Sequence, residues 1–141
     1  VTDISLTAAL EAAVHRVLGH LAAELADLGL RQAEINVLAL LRPGVARPVG
    51  ELVAATGQRP STLTGVLDRM EGKRLVRRRV NAADRRSFTI ALTPAGEAAA
   101  ARVRDAFAAL DARVRADLPP EAIRGFHHVL DALERHTKGR T

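Results

Sequence analysis

Cysteine, tryptophan and tyrosine do not occur in this 141-residue chain, and its aromatic side chains are Phe88, Phe107 and Phe126. Without cysteine there is no disulfide, no thiol redox sensor and no cysteine-ligated metal. With so few rings, a core built on bulky aromatics is excluded. The hydrophobic content of 48%, much of it alanine, favours close-packed helices instead. Long apolar runs are missing too: none approaches the roughly 20 residues of a membrane span. Val1–Leu30 carries acids and histidines among its apolar residues and has no continuous hydrophobic region, so no secretory signal is expected. The expectation is a cytoplasmic protein with no membrane partner.

Acid is scarce where base is dense. Between Arg59 and Arg86 lie nine cationic residues against Asp68, Glu71 and Asp84, a surplus of +6 in a chain whose net charge is +5. The basic character therefore belongs to one segment, and charge concentrated in this way attracts polyanions. The length fits one domain, 1–141.

Apolar spacing outlines the elements. Leu10, Val14, Val17, Leu18, Leu21, Leu25 and Leu28 recur on one face of a helix over 6–28, which Gly29 stops. A second helix covers Arg31–Leu41 with Ile35, Leu38 and Leu41 inward, and "RPG" at 42–44 ends it. Glu51–Thr56 is a short helix broken by Gly57. Pro60 opens another that runs to about Lys73, with Leu63, Val66, Leu67 and Met70 buried and Ser61, Thr62, Thr64, Gly65, Asp68 and Arg69 outside. Two short helices joined at a glycine form a helix-turn-helix. Two alternating strands follow, with Val76, Val80, Phe88, Ile90 and Leu92 expected on one buried face and the loop at Asn81–Ser87. Thr93 caps a long helix that Pro94 opens. It reaches about Leu118 with a stripe of Val103, Phe107, Leu110 and Val114. Pro119-Pro120 starts a last helix carrying Ile123, Phe126, Leu130 and Leu133, and Gly139–Thr141 is expected to fray.

The fold class is thus mainly α with a small β-hairpin: a winged helix-turn-helix at 31–93, with helices at 1–28 and 94–138 whose apolar stripes exceed what that small core covers. They are assigned to a homodimer contact. The partner implied is double-stranded DNA. A helix fits the major groove of B-DNA, and Ser61, Thr62 and Thr64 are short enough to approach phosphates or base edges, although ordinary helix surface or capping is the alternative. Arg69 and Lys73 can meet the backbone. Of Arg77, Arg78 and Arg79, at least one points to phosphate while another covers the core with its stem. Arg85 and Arg86 belong to a hairpin tip narrow enough for a minor groove, where arginine reads groove width and potential. Asp84, which would repel phosphate, is read as a brace for a guanidinium or for the loop backbone.

The stretches "ELVAATG", "STLTGVLDRMEGKRLVRRR", "DRRSFTIALT" and "TPAGEA" resemble the multiple-antibiotic-resistance regulator (MarR) family of winged-helix transcription factors, and the resemblance extends over essentially the whole chain. It implies that Arg86 enters the minor groove with Asp84 as its bracing partner, and that 60–73 is the recognition helix. It further implies a two-fold dimer on a pseudo-palindromic operator, and usually repression of nearby genes relieved by a small-molecule effector. Family geometry places an effector pocket near His15, Arg16, His20 and Asn36. Two positions depart from the pattern: Gly65, in mid-helix, costs roughly 1 kcal/mol against alanine, and Arg59 occupies an N-cap place that serine or threonine fills better.

No cofactor is implied, and no nucleophile elbow or phosphate loop surrounds Ser61, His127 or Asp131, so no enzyme is expected. His20 with Glu24, and His127 with Asp131, have the i, i+4 spacing of metal ligands, or equally of surface or interface pairs. A metal-responsive regulator and an architectural, non-specific DNA-binding protein therefore remain as alternative functions.

Overall fold

A computed structural model describes residues 5–138. The fraying expected of Gly139–Thr141, and the first four residues of the amino-terminal segment, lie outside that range. Six helices and a three-stranded antiparallel sheet follow in order: α1 (Leu6–Glu24), α2 (Gln32–Leu40), β1 (Arg47–Pro48), α3 (Val49–Thr56), α4 (Pro60–Gly72), β2 (Val76–Val80), β3 (Phe88–Leu92), α5 (Pro94–Ala116) and α6 (Pro120–Thr137). The chain up to Ala106 forms one compact unit, and from Phe107 a second.

In the first unit the core is aliphatic. Leu21, Ile35, Leu38, Leu41, Leu52, Leu63, Leu67, Met70 and Ile90 are fully buried, each such side chain being worth roughly 1.5–3 kcal/mol of transfer free energy. The helix expected over 6–28 ends early. After Glu24 the chain tightens into a 3-10 turn, Ala26–Leu28, which Gly29 closes at φ 61°. That turn gives the last carbonyls partners, Leu28 N–H to Leu25 and Gly29 N–H to Ala26. At the far end of α2, arginines do the same work. Arg42 donates to the Ala39 carbonyl (3.2 Å), Arg47 to Leu40 (3.0 Å) and Arg104 to Leu41 (3.2 Å), placing cations at the negative end of the helix dipole.

The helix-turn-helix forms as the spacing requires. Gly57 takes the left-handed conformation, φ 66°, that ends α3 without a Cβ penalty, and Pro60 opens α4. The sheet departs from the two-stranded expectation. Arg47 and Pro48 pair with Ile90 and Thr89, giving the order β1-β3-β2. Two residues are too few to show a period, and proline is compatible with an edge strand because it lacks the N–H a central strand must donate.

The expected buried face of the hairpin is also shorter than the alternation suggests. Val76, Ile90 and Leu92 are buried, but Val80 is 57% and Phe88 43% exposed. These last two face each other across the ladder at its loop end.

α5 is anchored at its start. Thr93 Oγ1 accepts from Gly96 N–H (3.0 Å), the cap expected from sequence, and donates to the Arg74 carbonyl (2.5 Å). Thr93 N–H bonds the Leu75 carbonyl. A Cβ at Gly96 would collide with that same carbonyl. Arg74 is the one non-glycine among the described residues with positive φ, 59°.

In the second unit, Val114, Leu118 and Phe126 are 42–51% exposed, while Ile123, Leu130 and Leu133 are half-buried. No described helix is long and apolar enough to cross a membrane.

Arg74→Gly should stabilise by about 1 kcal/mol, the approximate cost of a left-handed non-glycine residue, and so raise the urea midpoint. Gly96→Ala should destabilise by roughly 2 kcal/mol or more, since the obstacle is backbone that cannot turn aside.

Candidate nucleic-acid interface

The basic segment comprises α4, the β2–β3 hairpin and the loop between the strands, which forms a wing. On α4, Ser61 and Thr62 are exposed with no side-chain hydrogen bond among the described residues, and exposed Thr64 donates back to the Pro60 carbonyl (2.9 Å). Arg59 at the N-cap position makes no capping bond, so the first turn of α4 keeps its N–H groups and their partial positive charge uncapped.

Alternation along β2 separates the three consecutive arginines. Arg77 and Arg79 lie on the exposed face. Arg78 lies on the other, where its guanidinium bonds Asp68 of α4 (2.6 Å) and stands 5.6 Å over the Phe88 ring. At the wing, Asp84 settles the choice between bracing a guanidinium and bracing the loop: it braces the loop. Its carboxylate accepts from Arg86 N–H (3.1 Å), and its carbonyl accepts from both the N–H and the hydroxyl of Ser87. Asn81 closes the other side through Ala83 N–H and the Ser87 hydroxyl. Such local side-chain bonds are the usual turn chemistry of Asp and Asn. Arg77, Arg79, Arg85 and Arg86 are exposed and form no side-chain ion pair among the described residues. Arg86 also lines a cavity of about 390 Å³ with Pro60, Thr64, Leu67 and Phe88.

Arg69 and Lys73, each about two-fifths exposed, lie at the far end of α4. Both meet Glu34, a fully buried carboxylate at the start of α2: Lys73 Nζ lies 2.8 Å from Oε2 and Arg69 Nε 3.8 Å from Oε1. Arg31 N–H also donates to Glu34 (2.9 Å), and Lys73 reaches the Gly29 carbonyl. Burial pushes the Glu34 carboxyl up, but the Lys73 hydrogen bond, the Arg31 N–H and the neighbouring cations outweigh it and leave it below its ordinary value. Sequence reading missed Glu34. Its place beside Ile35 put it next to the buried stripe, but nothing local announces a partner 39 positions away.

Of the residues expected near an effector, three are placed by their exposure and bonds, and half-buried His20 lies on α1. His15 and Arg16 are exposed on α1, and half-buried Asn36 accepts from Gln32 of its own helix (2.9 Å). A cavity of about 530 Å³ in the first unit is lined by Leu28, Leu30, Lys73, Leu75, Ala99 and Arg102. At its rim Arg102 forks onto Asp27 (2.9 and 3.0 Å) and lowers that carboxyl below its usual range. Among the described residues, no group of three or more histidines and carboxylates is placed to hold a metal ion.

A glycine-turned helix pair beside a basic β-wing defines a winged helix-turn-helix protein. The sequence profile of the MarR family matches residues 28–87. The Bacillus subtilis (strain 168) HTH-type transcriptional repressor MdtR is 30% identical over 96 residues, 68% of this chain, and the chain spans only 61% of that relative's length. Two solved structures are also similar. The MarR family transcriptional regulator AbsC from Streptomyces coelicolor is 26% identical, with TM-score 0.78 and coverage of 99% of this chain and 100% of that one. The transcriptional repressor CouR, bound to a 23-mer DNA duplex, is 28% identical with TM-score 0.74 and 92% coverage of each chain. Profile, relative and solved structures alike make the MarR family the one this chain resembles.

Glu34→Gln should destabilise by about 2 kcal/mol at neutral pH, less than a fully enclosed pair because the cations can rehydrate. The carboxyl is lowered on folding, so its contribution is complete above the unfolded carboxylate pKa and disappears as pH falls through the lower folded value. Chemical denaturation of parent and variant should therefore converge with acidification. A gap constant down to pH 2 would show that ionised Glu34 is not the stabilising species.

Proposed function

We propose that the protein is a homodimeric DNA-binding transcriptional regulator, a repressor of nearby genes whose hold on a pseudo-palindromic operator is relieved by a small ligand. One observation carries this reading: Arg77, Arg79, Arg85 and Arg86 stand exposed, without ion-pair partners among the described residues, beside the uncapped start and short polar face of α4. The likeness to a repressor bound to a DNA duplex supports it.

On this reading Ser61, Thr62 and Thr64 approach the major groove, and the uncapped N–H groups of α4 meet a phosphate. Arg86 enters the flanking minor groove from a loop that Asp84 shapes, while Arg77, Arg79 and Arg85 meet phosphates. Arg69 and Lys73, engaged by Glu34, orient the helix. Exposed Val14 and Val17 on α1, and Val114, Leu118 and Phe126 in the second unit, are the apolar surface a second copy would cover. Two recognition helices then meet successive major grooves about 34 Å apart. A ligand that binds a mismatched spacing better than the matched one lowers operator affinity by that difference.

With a duplex selected from fragments of the source genome, binding should weaken steeply with salt, and Arg86→Ala should cost about tenfold in affinity at matched salt. Equal affinity for the parent and this variant would remove the wing from the interface. Equal parent affinity for the selected and a random duplex would instead mark an architectural protein. Phe126→Glu should shift the protein towards monomer in light scattering at micromolar concentration and weaken operator binding with it. A variant that stays dimeric would place the subunit contact elsewhere.

A further inference from the structure

The proposed DNA surface contains a carboxylate that its purpose does not explain. Asp68 follows Ser61 and Thr64 at helical spacing on α4, and it is 58% exposed. Alone at that position it would repel phosphate. It is not alone: Arg78 Nη2 lies 2.6 Å from Asp68 Oδ1, and Arg78 is the more enclosed partner, 23% exposed. The guanidinium is also placed over Phe88, the residue that begins β3 at the wing end, within the distance at which a cation and a ring attract. Glu71, one turn beyond Asp68, accepts the Arg78 N–H (3.3 Å). Two acids of the recognition helix thus grip one residue of the wing, by its side chain and by its backbone.

We infer that Asp68 and Arg78 form a clamp fixing the wing against the recognition helix, so that they set the separation between the major-groove and minor-groove contacts and are positioning residues rather than phosphate ligands. This rests on the DNA-binding reading above. The pair carries no net charge, so Arg78 adds nothing to the attraction for phosphate. What it supplies is the placement of Arg86, eight positions along the same hairpin.

The test turns on a sign. Asp68→Asn makes the surface more positive, and simple electrostatics would raise affinity for every duplex. The clamp predicts a loss of about fivefold on the selected genomic duplex, the scale of a partly exposed ion pair, with affinity for random duplex unchanged or higher. Hydroxyl-radical protection should disappear from the flanking minor grooves while the major-groove contacts persist. Arg78→Gln should reproduce the loss, and the double variant should lose no more than either single one. Asp68→Glu, which keeps the carboxylate, should restore most of the binding and guards against a misfolded Asn variant. A rise on both duplexes for Asp68→Asn overturns the clamp, as do additive losses or an Arg78→Gln loss shared equally by random DNA. Parent protein that binds neither duplex would overturn the DNA reading itself, and the clamp with it.

Discussion

Like charges crowded onto one surface repel one another, and nine cations between residues 59 and 86 must nevertheless share a rigid frame. Carboxylates make that possible. Asp68 and Glu71 hold Arg78, Asp84 shapes the wing loop, and Glu34 reaches across from α2 to Lys73 and Arg69. Each of these acids therefore has a structural partner, and among the described residues none pairs with Arg77, Arg79, Arg85 or Arg86. The net positive field of the wing follows from how the acids are spent as much as from how many arginines there are.

The same frame fixes α4 along its length and at its carboxy-terminal end. Its buried stripe, Leu63, Val66, Leu67 and Met70, seats it on the core, while the Glu34 cluster holds its carboxy-terminal end. Just beyond, the chain turns through left-handed Arg74 into β2, and Thr93 and Gly96 bring the start of α5 against the Arg74–Leu75 backbone. Apolar burial supplies most of the stability here, but the polar contacts choose the angle, because hydrogen bonds have direction and dispersion does not.

Much of this could be read from residue spacing. The helix-turn-helix was legible because Gly57 and Pro60 punctuate two short amphipathic runs, and the α5 cap because Thr93-Pro94 is a strong local start signal. The alternation of 77, 78 and 79 implied that one arginine would differ from its neighbours, but not which partner it would find. The strand at Arg47–Pro48 was too short to show a pattern. Val80 and Phe88 continued the alternation to the loop end of the hairpin, where both stay exposed, so a correct period gave a wrong burial. The grouping of His15, Arg16, His20 and Asn36 came from family geometry and not from residue spacing.

The order of helices and strands, the turn between α3 and α4 and the concentration of cations were settled along the chain itself, because period, caps and local charge are properties of neighbours in sequence. Folding in three dimensions decided which of those cations remain exposed. Glu34 and Lys73 lie 39 positions apart and Asp68 and Arg78 ten, and such pairs exist only once packing has brought distant backbone within a hydrogen bond's reach.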